Sequence, residues 1–277
     1  MFWNPTNGSV MIGNTEMYYV SFGKGPKNLI LLPGLSDGLA TVKGKALLLA
    51  GPYKLFFKQY TVYMFSRKND MPEGYSIRDM AADQACAMSM LGIEKASVLG
   101  VSQGGMIAQY LAIDHPELVE KLVIAVSAPS CNDIIEENIK RWLSYARKGD
   151  HKQLMIDTAE RSYSPEYLKK YRLLYPLLGL VGRSSDYRRF RTNAESILHF
   201  NASEEISTIT SPTLIIAGEK DQIVGEEAAL SMKLRIRNSR LHIYPGLGHA
   251  AYEEAKDFNK RVYRFLQTDC AFFSQTA

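Results

Sequence analysis

The passage from residue 96 to residue 113 limits most sharply what this chain can fold into. An apolar run, Ala96-Ser97-Val98-Leu99-Gly100, leads within two residues to Ser102, and Gly104 then opens the pattern Met106-Ile107-Ala108-Gln109-Tyr110-Leu111. A chain that leaves a buried strand and enters a helix so quickly must turn very tightly. Small residues two positions before and after Ser102 permit that turn. The serine hydroxyl then projects above the strand end, beside the positive end of the following helix. Gly-x-Ser-x-Gly by itself arises by chance as a glycine-rich turn; here the strand before it and the apolar helix after it supply the required context.

The rest of the chain repeats the theme. Short apolar runs at 28–32, 61–65, 96–100, 119–126, 213–217 and 241–244 read as strands. Helical patterns lie at 45–60 (interrupted near Gly51-Pro52), 76–91, 104–113, 226–234 and 253–266, with Ser76 and Asp79 spaced as a capping box. Val10-Met11-Ile12, a Gly13-Asn14 turn and Met17 to Val20 suggest an opening hairpin. Continuous apolar strands alternating with helices predict an α/β fold, a mostly parallel sheet with helices on both faces. Residues 128–212 break the rhythm with helical patterns at 134–147, 153–160, 165–177 and 187–199, the third starting at Ser164-Pro165. The expected division is a core of residues 1–128 and 212–277 and an inserted helical lid of residues 129–211. Residues 268–277 lack periodicity and read as a loose tail.

Composition narrows the function. Across 277 residues, 46% are hydrophobic and 22% charged, as in an ordinary globular enzyme, and a net charge of +4 is too mild to argue for nucleic acid. No apolar run approaches the roughly 20 residues that span a bilayer. The first residues lack the basic-then-apolar pattern of a signal peptide. Cys86, Cys131 and Cys270 are far apart, without CxxC spacing; this argues against a disulfide framework or a zinc site and leads to the expectation of a cytoplasmic protein. Cys86, inside a helical pattern, reads as a small buried hydrophobe.

A serine hydroxyl needs a base to act as a nucleophile. Among five histidines, His249 follows the last strand and the loop Pro245-Gly246-Leu247-Gly248, which can return an imidazole to the sheet edge that carries Ser102. His115 and His242 read as structural, and His151 and His199 as surface or lid packing. Asp221, after the strand at 213–217 and the turn Gly218-Glu219-Lys220, lies at that same edge and is the expected acceptor for the second imidazole nitrogen. Asp133 is its competitor, and Glu219 reads as solvated. The loop Leu32-Pro33-Gly34-Leu35-Ser36-Asp37-Gly38 suggests the main-chain N–H groups of Leu35 and Gln103 as oxyanion donors, with Asp37 a turn or cap residue.

On these residues the chain resembles the α/β-hydrolase superfamily over about residues 15–267, specifically its lidded esterases and enol-lactonases. The order Ser102, Asp221, His249, the tight turn and the lid position agree with that pattern. Many relatives carry His-Gly where this chain has Pro33-Gly34. Serine rather than aspartate at the turn argues against epoxide hydrolases and haloalkane dehalogenases. The resemblance implies an acyl-enzyme route on small to medium esters or lactones without metal or organic cofactor. Acyl transfer, carbon–carbon hydrolysis or peptide cleavage by the same residues is the alternative; a ligand receptor with little turnover is another. In the lid, Tyr163, Tyr167, Tyr171 and Tyr175 recur every four residues. They form one helical stripe, read either as packing or as an aromatic wall over the substrate, with Tyr163, Tyr167 and Tyr171 the candidate substrate contacts. The many lid arginines and lysines read as a solvated face or as a field for anionic substrates.

Overall fold

The computed structural model describes residues 3–179, 183–184 and 186–268. Eight strands run along the chain: β1 (Thr6–Ile12), β2 (Thr15–Phe22), β3 (Lys27–Leu32), β4 (Tyr60–Lys68), β5 (Ala96–Val101), β6 (Val119–Ala125), β7 (Thr213–Gly218) and β8 (Ser239–Tyr244). They form one sheet in the order β1-β2-β4-β3-β5-β6-β7-β8. β1 and β2 make the antiparallel hairpin, β2 joins β4 antiparallel, and all later pairings are parallel. Within β3, Ile30 and Leu32 face one hydrophobic core while Leu29 and Leu31 face another on the opposite side of the sheet. The continuous apolar run Leu29–Leu32 is what a sheet covered on both faces demands.

The helices are α1 (Ala46–Ala50), α2 (Ile77–Met90), α3 (Gln103–Asp114), α4 (Asp133–Lys148), α5 (His151–Ser162), α6 (Pro165–Tyr171), α7 (Tyr175–Leu178), α8 (Arg188–Leu198), α9 (Glu227–Arg235), α10 (Ala251–Glu254) and α11 (Phe258–Gln267). Helices α4 to α8 form a helical insertion between β6 and β7. The expected capping box closes α2: Ser76 accepts from the Asp79 amide while the Asp79 carboxylate accepts from the Ser76 amide. Ser164 caps α6 by accepting from the Tyr167 amide.

Several boundaries differ from expectation. The helix expected over 165–177 is broken by a 3₁₀ turn, Arg172–Leu174, and resumes as α7, where Pro176 in the first turn has no N–H to leave unpaired. The helix expected over 253–266 is two pieces, because Ala255 leaves the helical region at ψ 109°. β4 continues past Phe65 to Lys68, its last polar residues held by side-chain partners described below. Cys86 is exposed rather than buried: α2 buries Ile77, Met80, Ala81, Gln84, Ala85, Ala87 and Met88, and a position two residues from Gln84 points away from that stripe. Cys270 and residues 269–277 of the expected tail lie outside the described residues. Among the described residues no helix is long and apolar enough to cross a membrane.

Parallel strands put their C-terminal ends at one edge. The chain leaves β3 toward β4 on one side and leaves β5 toward β6 on the other, so the crevice between β3 and β5 is the point where strand order reverses. In open parallel sheets such a point is where ligands gather.

Candidate active site

Ser102 sits on that crevice, between β5 and α3, with φ 54° and ψ −120°. Positive φ is costly for a residue with a side chain, on the order of 1–3 kcal/mol. Two close approaches explain the neighbouring glycines. A Cβ on Gly100 would lie 2.3 Å from the Gly104 carbonyl oxygen, and one on Gly104 would lie 1.9 Å from that of Leu32. Only hydrogen fits at either place, so the strand can approach the helix closely enough to present the serine.

His249 arrives from the loop after β8 and Asp221 from the loop after β7. These strands are neighbours, and the loops are joined by Glu219 N donating to Tyr244 O at 3.0 Å and Lys220 N to Leu247 O at 2.8 Å. His249 Nε2 lies 2.9 Å from Ser102 Oγ, and Nδ1 lies 2.8 Å from Asp221 Oδ2. The carboxylate can only accept, so Nδ1 carries the proton and Nε2 is left to accept from the serine. Asp221 Oδ1 in turn accepts from the amides of Ile223 and Val224 at 2.9 and 3.0 Å. Both carboxylate oxygens are engaged and Asp221 is buried. Asp133, the competing acid, is the exposed first residue of α4 and is not part of this chain of contacts. Glu219 accepts from the Gly246 amide at 2.8 Å, steadying the His249 loop.

The loop after β3 closes the other side. A Cβ on Gly34 would lie 3.3 Å from the Ser102 Cβ, which places this backbone against Ser102. Among the described residues, the N–H groups of Leu35 and Gln103 have no hydrogen-bond acceptor. Two free donors near a serine are what a developing oxyanion requires.

Beside Ser102 and His249 lies a cavity of about 150 Å³, lined on the insertion side by Trp142, Leu154, Met155 and Phe190 and on the core side by Leu39 and Ile223. Among the described residues, Tyr252 is the one ionisable side chain besides His249 that lines it. The structure does not bring Tyr163, Tyr167 and Tyr171 to this cavity. Instead Tyr163 stacks on Tyr167 at 4.7 Å, Tyr171 lies tilted against Tyr167 at 4.6 Å, and Tyr163 Oη donates to Glu253 at 2.5 Å. The single helical stripe expected does not form: Tyr163 precedes α6 in extended backbone, Tyr167 and Tyr171 lie on α6, and Tyr175 opens α7 beyond the 3₁₀ turn. The insertion is fastened here through the Ala250 amide donating to Ser162 O, and the Ser164 amide to Glu254, both at 2.8 Å.

One cluster escaped the sequence. Arg67, 1% exposed, and Asp37, 3% exposed, are buried together. Asp37 Oδ2 accepts from the Arg67 amide at 3.0 Å and from Arg189 Nη2 of α8 at 2.6 Å. Arg67 Nη1 donates to Gly34 O at 3.3 Å and Nη2 to Gln103 Oε1 at 3.0 Å. Burial alone would raise the Asp37 pKa, but the Arg189 and Arg67 guanidiniums outweigh it and hold the carboxyl below its ordinary value. Burial pulls Arg67 down to about 10, against the pull of Asp37, so it stays charged at neutral pH. Asp37 is therefore an ion-pair partner and not the simple turn residue expected. Other lid cations pair at the surface, Lys140 with Glu136, Arg141 with Glu137, Arg172 with Glu160 and Arg188 with Asp70. Among the described residues no cluster of His, Cys, Asp and Glu could hold a metal ion.

Residues 56–256 match the family described as alpha/beta hydrolase fold. The chain belongs to that family. A 2-hydroxy-6-oxononadienedioate/2-hydroxy-6-oxononatrienedioate hydrolase from Pseudomonas sp. is 30% identical over 68% of this chain and 70% of its own length. The mouse serine hydrolase BPHL is 26% identical over 95% of this chain and 87% of its own. Among solved structures, the enol-lactonase from Burkholderia xenovorans superposes with a TM-score of 0.79 at 20% identity, covering 94% of this chain and all (100%) of the other. The structural likeness shows the fold. Together with the family and its relatives it supports a hydrolytic activity and leaves the substrate open.

Proposed function

We propose that the protein is a serine hydrolase of small, neutral carboxylic esters or lactones, with Ser102 as nucleophile, His249 as general base and Asp221 as its orienting acid. The observation that carries this reading is the unbroken contact from Ser102 Oγ through His249 to Asp221, opening onto an apolar cavity. His249 Nε2 takes the proton of Ser102 as Oγ bonds to the acyl carbon. The carbonyl π electrons move onto oxygen, which the Leu35 and Gln103 amides hold. Collapse expels the alkoxide, protonated by His249, and leaves an acyl-serine. Water, deprotonated by His249, then attacks the acyl carbon and restores the serine.

Carbon–carbon hydrolysis is the second reading, favoured by the Pseudomonas relative. That relative's named substrate is a dienedioate, which carries two carboxylates. A pocket for such a dianion needs cationic donors, and among the described residues none that lines the cavity is cationic. The helical insertion acts on the ester reading as a lid whose apolar residues select the acyl group.

The test is a panel of p-nitrophenyl esters of graded acyl length, simple lactones and an anionic vinylogous diketone, each with wild type and Ser102→Ala. Turnover of short neutral esters, abolished in Ser102→Ala and blocked by a fluorophosphonate that labels Ser102, supports the reading. Turnover of the anionic diketone alone would select carbon–carbon hydrolysis instead. Labelling at another residue in active protein would remove Ser102 as nucleophile.

A further inference from the structure

The buried Arg67 touches Gly34, whose carbonyl shares a peptide plane with the Leu35 N–H, and Gln103, and it does so through different atoms. Its Nη1 donates to the Gly34 carbonyl, and the Gly34–Leu35 peptide is a rigid plane in which C=O and N–H point in opposite directions. Fixing the carbonyl on one side therefore aims the Leu35 N–H toward the other. Its Nη2 donates to the Gln103 side chain, whose Nε2 also donates to Asn193 O of α8 at 2.7 Å. Gln103 is fully buried, so its backbone is held from its own side chain. Asp37 receives the Arg67 amide and the Arg189 guanidinium, and Arg189 also donates to Arg67 O at 2.8 Å. The neighbour of Arg189, Phe190, lines the cavity.

Stability alone is a poor reason for such a cluster. Burying an arginine and an aspartate, with a second arginine partly covered beside them, carries a desolvation cost that apolar side chains of similar size avoid. The satisfaction is also incomplete, since Asp37 Oδ1, Arg67 Nε and Arg189 Nε have no partner among the described residues. What the cluster does supply is geometry, because it links β4, the loop after β3, the start of α3 and α8 through directed hydrogen bonds.

We infer that Asp37, Arg67 and Arg189 are positioning residues that aim the Leu35 and Gln103 amides at the reacting carbonyl and lock α8 over the site. None of the three touches substrate. This rests on the hydrolase reading above for its kinetic consequence, but its structural claim stands independently of it.

Hydrogen exchange and kinetics on the full chain test it, using wild type, Asp37→Asn, Arg189→Ala and Arg189→Lys. Peptides covering 33–40, 103–107 and 188–198 should exchange faster together in Asp37→Asn and Arg189→Ala, with β8 unchanged and Arg189→Lys intermediate. With a short ester, kcat should fall at least ~10-fold while KM stays within about threefold, and affinity for an alkyl boronic acid should fall by the same factor as kcat, because both read the oxyanion donors. Faster exchange confined to 188–198, with kcat and boronate affinity unaltered, overturns the inference and leaves Arg189 a lid fastening. If Asp37→Asn fails to fold, Arg189→Ala carries the test, since the Arg189 side chain is 16% exposed and its removal leaves the Asp37–Arg67 pair in place. Should wild type turn over no ester or lactone, the ester reading falls, while the exchange result still decides whether the cluster couples the two loops to α8.

Discussion

Replacing Asp221 with asparagine isolates what the carboxylate does. Its two oxygens are used differently, since Oδ2 accepts from His249 Nδ1 and Oδ1 accepts from two amides. Asparagine has one acceptor oxygen to serve both places. If its oxygen stays on Ile223 and Val224, its NH₂ faces His249 Nδ1. The imidazole must then carry its proton on Nε2, where it cannot accept from Ser102. If the amide turns over, its NH₂ faces two buried N–H donors, each unmet donor costing about 1–3 kcal/mol. The first arrangement therefore dominates by about 2–6 kcal/mol, roughly 30-fold to 10⁴-fold at 1.4 kcal/mol per tenfold. The minority rotamer must also form without the charge that stabilises imidazolium. In a serine protease of the same geometry this swap costs about 10⁴ in turnover. For Asp221→Asn we expect kcat to fall at least ~10³-fold, about 4 kcal/mol of transition-state stabilisation, with KM little changed. The assay is steady-state hydrolysis of a short p-nitrophenyl ester, with circular dichroism to show that the fold is retained. Retention of more than about a tenth of kcat would refute the reasoning, as would a comparable loss in Asp133→Asn.

Leu154→Ala, at a buried cavity-lining position, should lower stability by about 2–5 kcal/mol in urea melts. The same change should raise kcat/KM for longer acyl chains relative to short ones; an unaltered ratio would mean the acyl group lies elsewhere. Arg188→Gln should leave kcat/KM for neutral esters within about twofold and stability within ~1 kcal/mol, because both partners of its pair with Asp70 are exposed. The Asp37 carboxyl is held below its ordinary value of 3.8. A depressed carboxyl adds stability that is present above its unfolded pKa and is lost as pH falls through the folded one. Urea melts of wild type should therefore steepen in their loss of stability below about pH 4, and Asp37→Asn should lack that component; identical acid profiles would contradict the ion-pair assignment.

The parts of the site that are legible in the sequence are those written locally. Ser102 is flanked by its own strand and helix, and Asp221 and His249 each follow a short apolar strand by a few residues. Once parallel strands are inferred, their C-terminal ends share an edge, so three residues spread over the chain must lie near one another. Cys86 is also within reach of such reasoning: the buried positions of α2 follow the three-to-four residue spacing, and residue 86 is off it. In the tyrosine series only Tyr167 and Tyr171 share a helix, because Ser164-Pro165 starts α6 after Tyr163 and a 3₁₀ turn ends it before Tyr175; spacing also carries no information about what lies opposite.

The Asp37–Arg67–Arg189 cluster shows why the remainder is hidden. Its members come from a loop, a strand end and the helical insertion, so no short window of sequence contains two of them. The apolar run stops at Phe65, which assigns Arg67 to a loop, yet the strand continues to Lys68. A strand can carry an arginine into the interior only if acceptors await it there. Those acceptors are a backbone carbonyl, a glutamine oxygen and an aspartate from other elements. Their arrangement exists only after β3, β5 and α8 have come together. Local chemistry thus marks where Ser102 must stand. The orientation of the donors opposite it is set by tertiary contacts, and Gln103 illustrates both at once: its N–H belongs to the turn, and its side chain to the insertion that covers it.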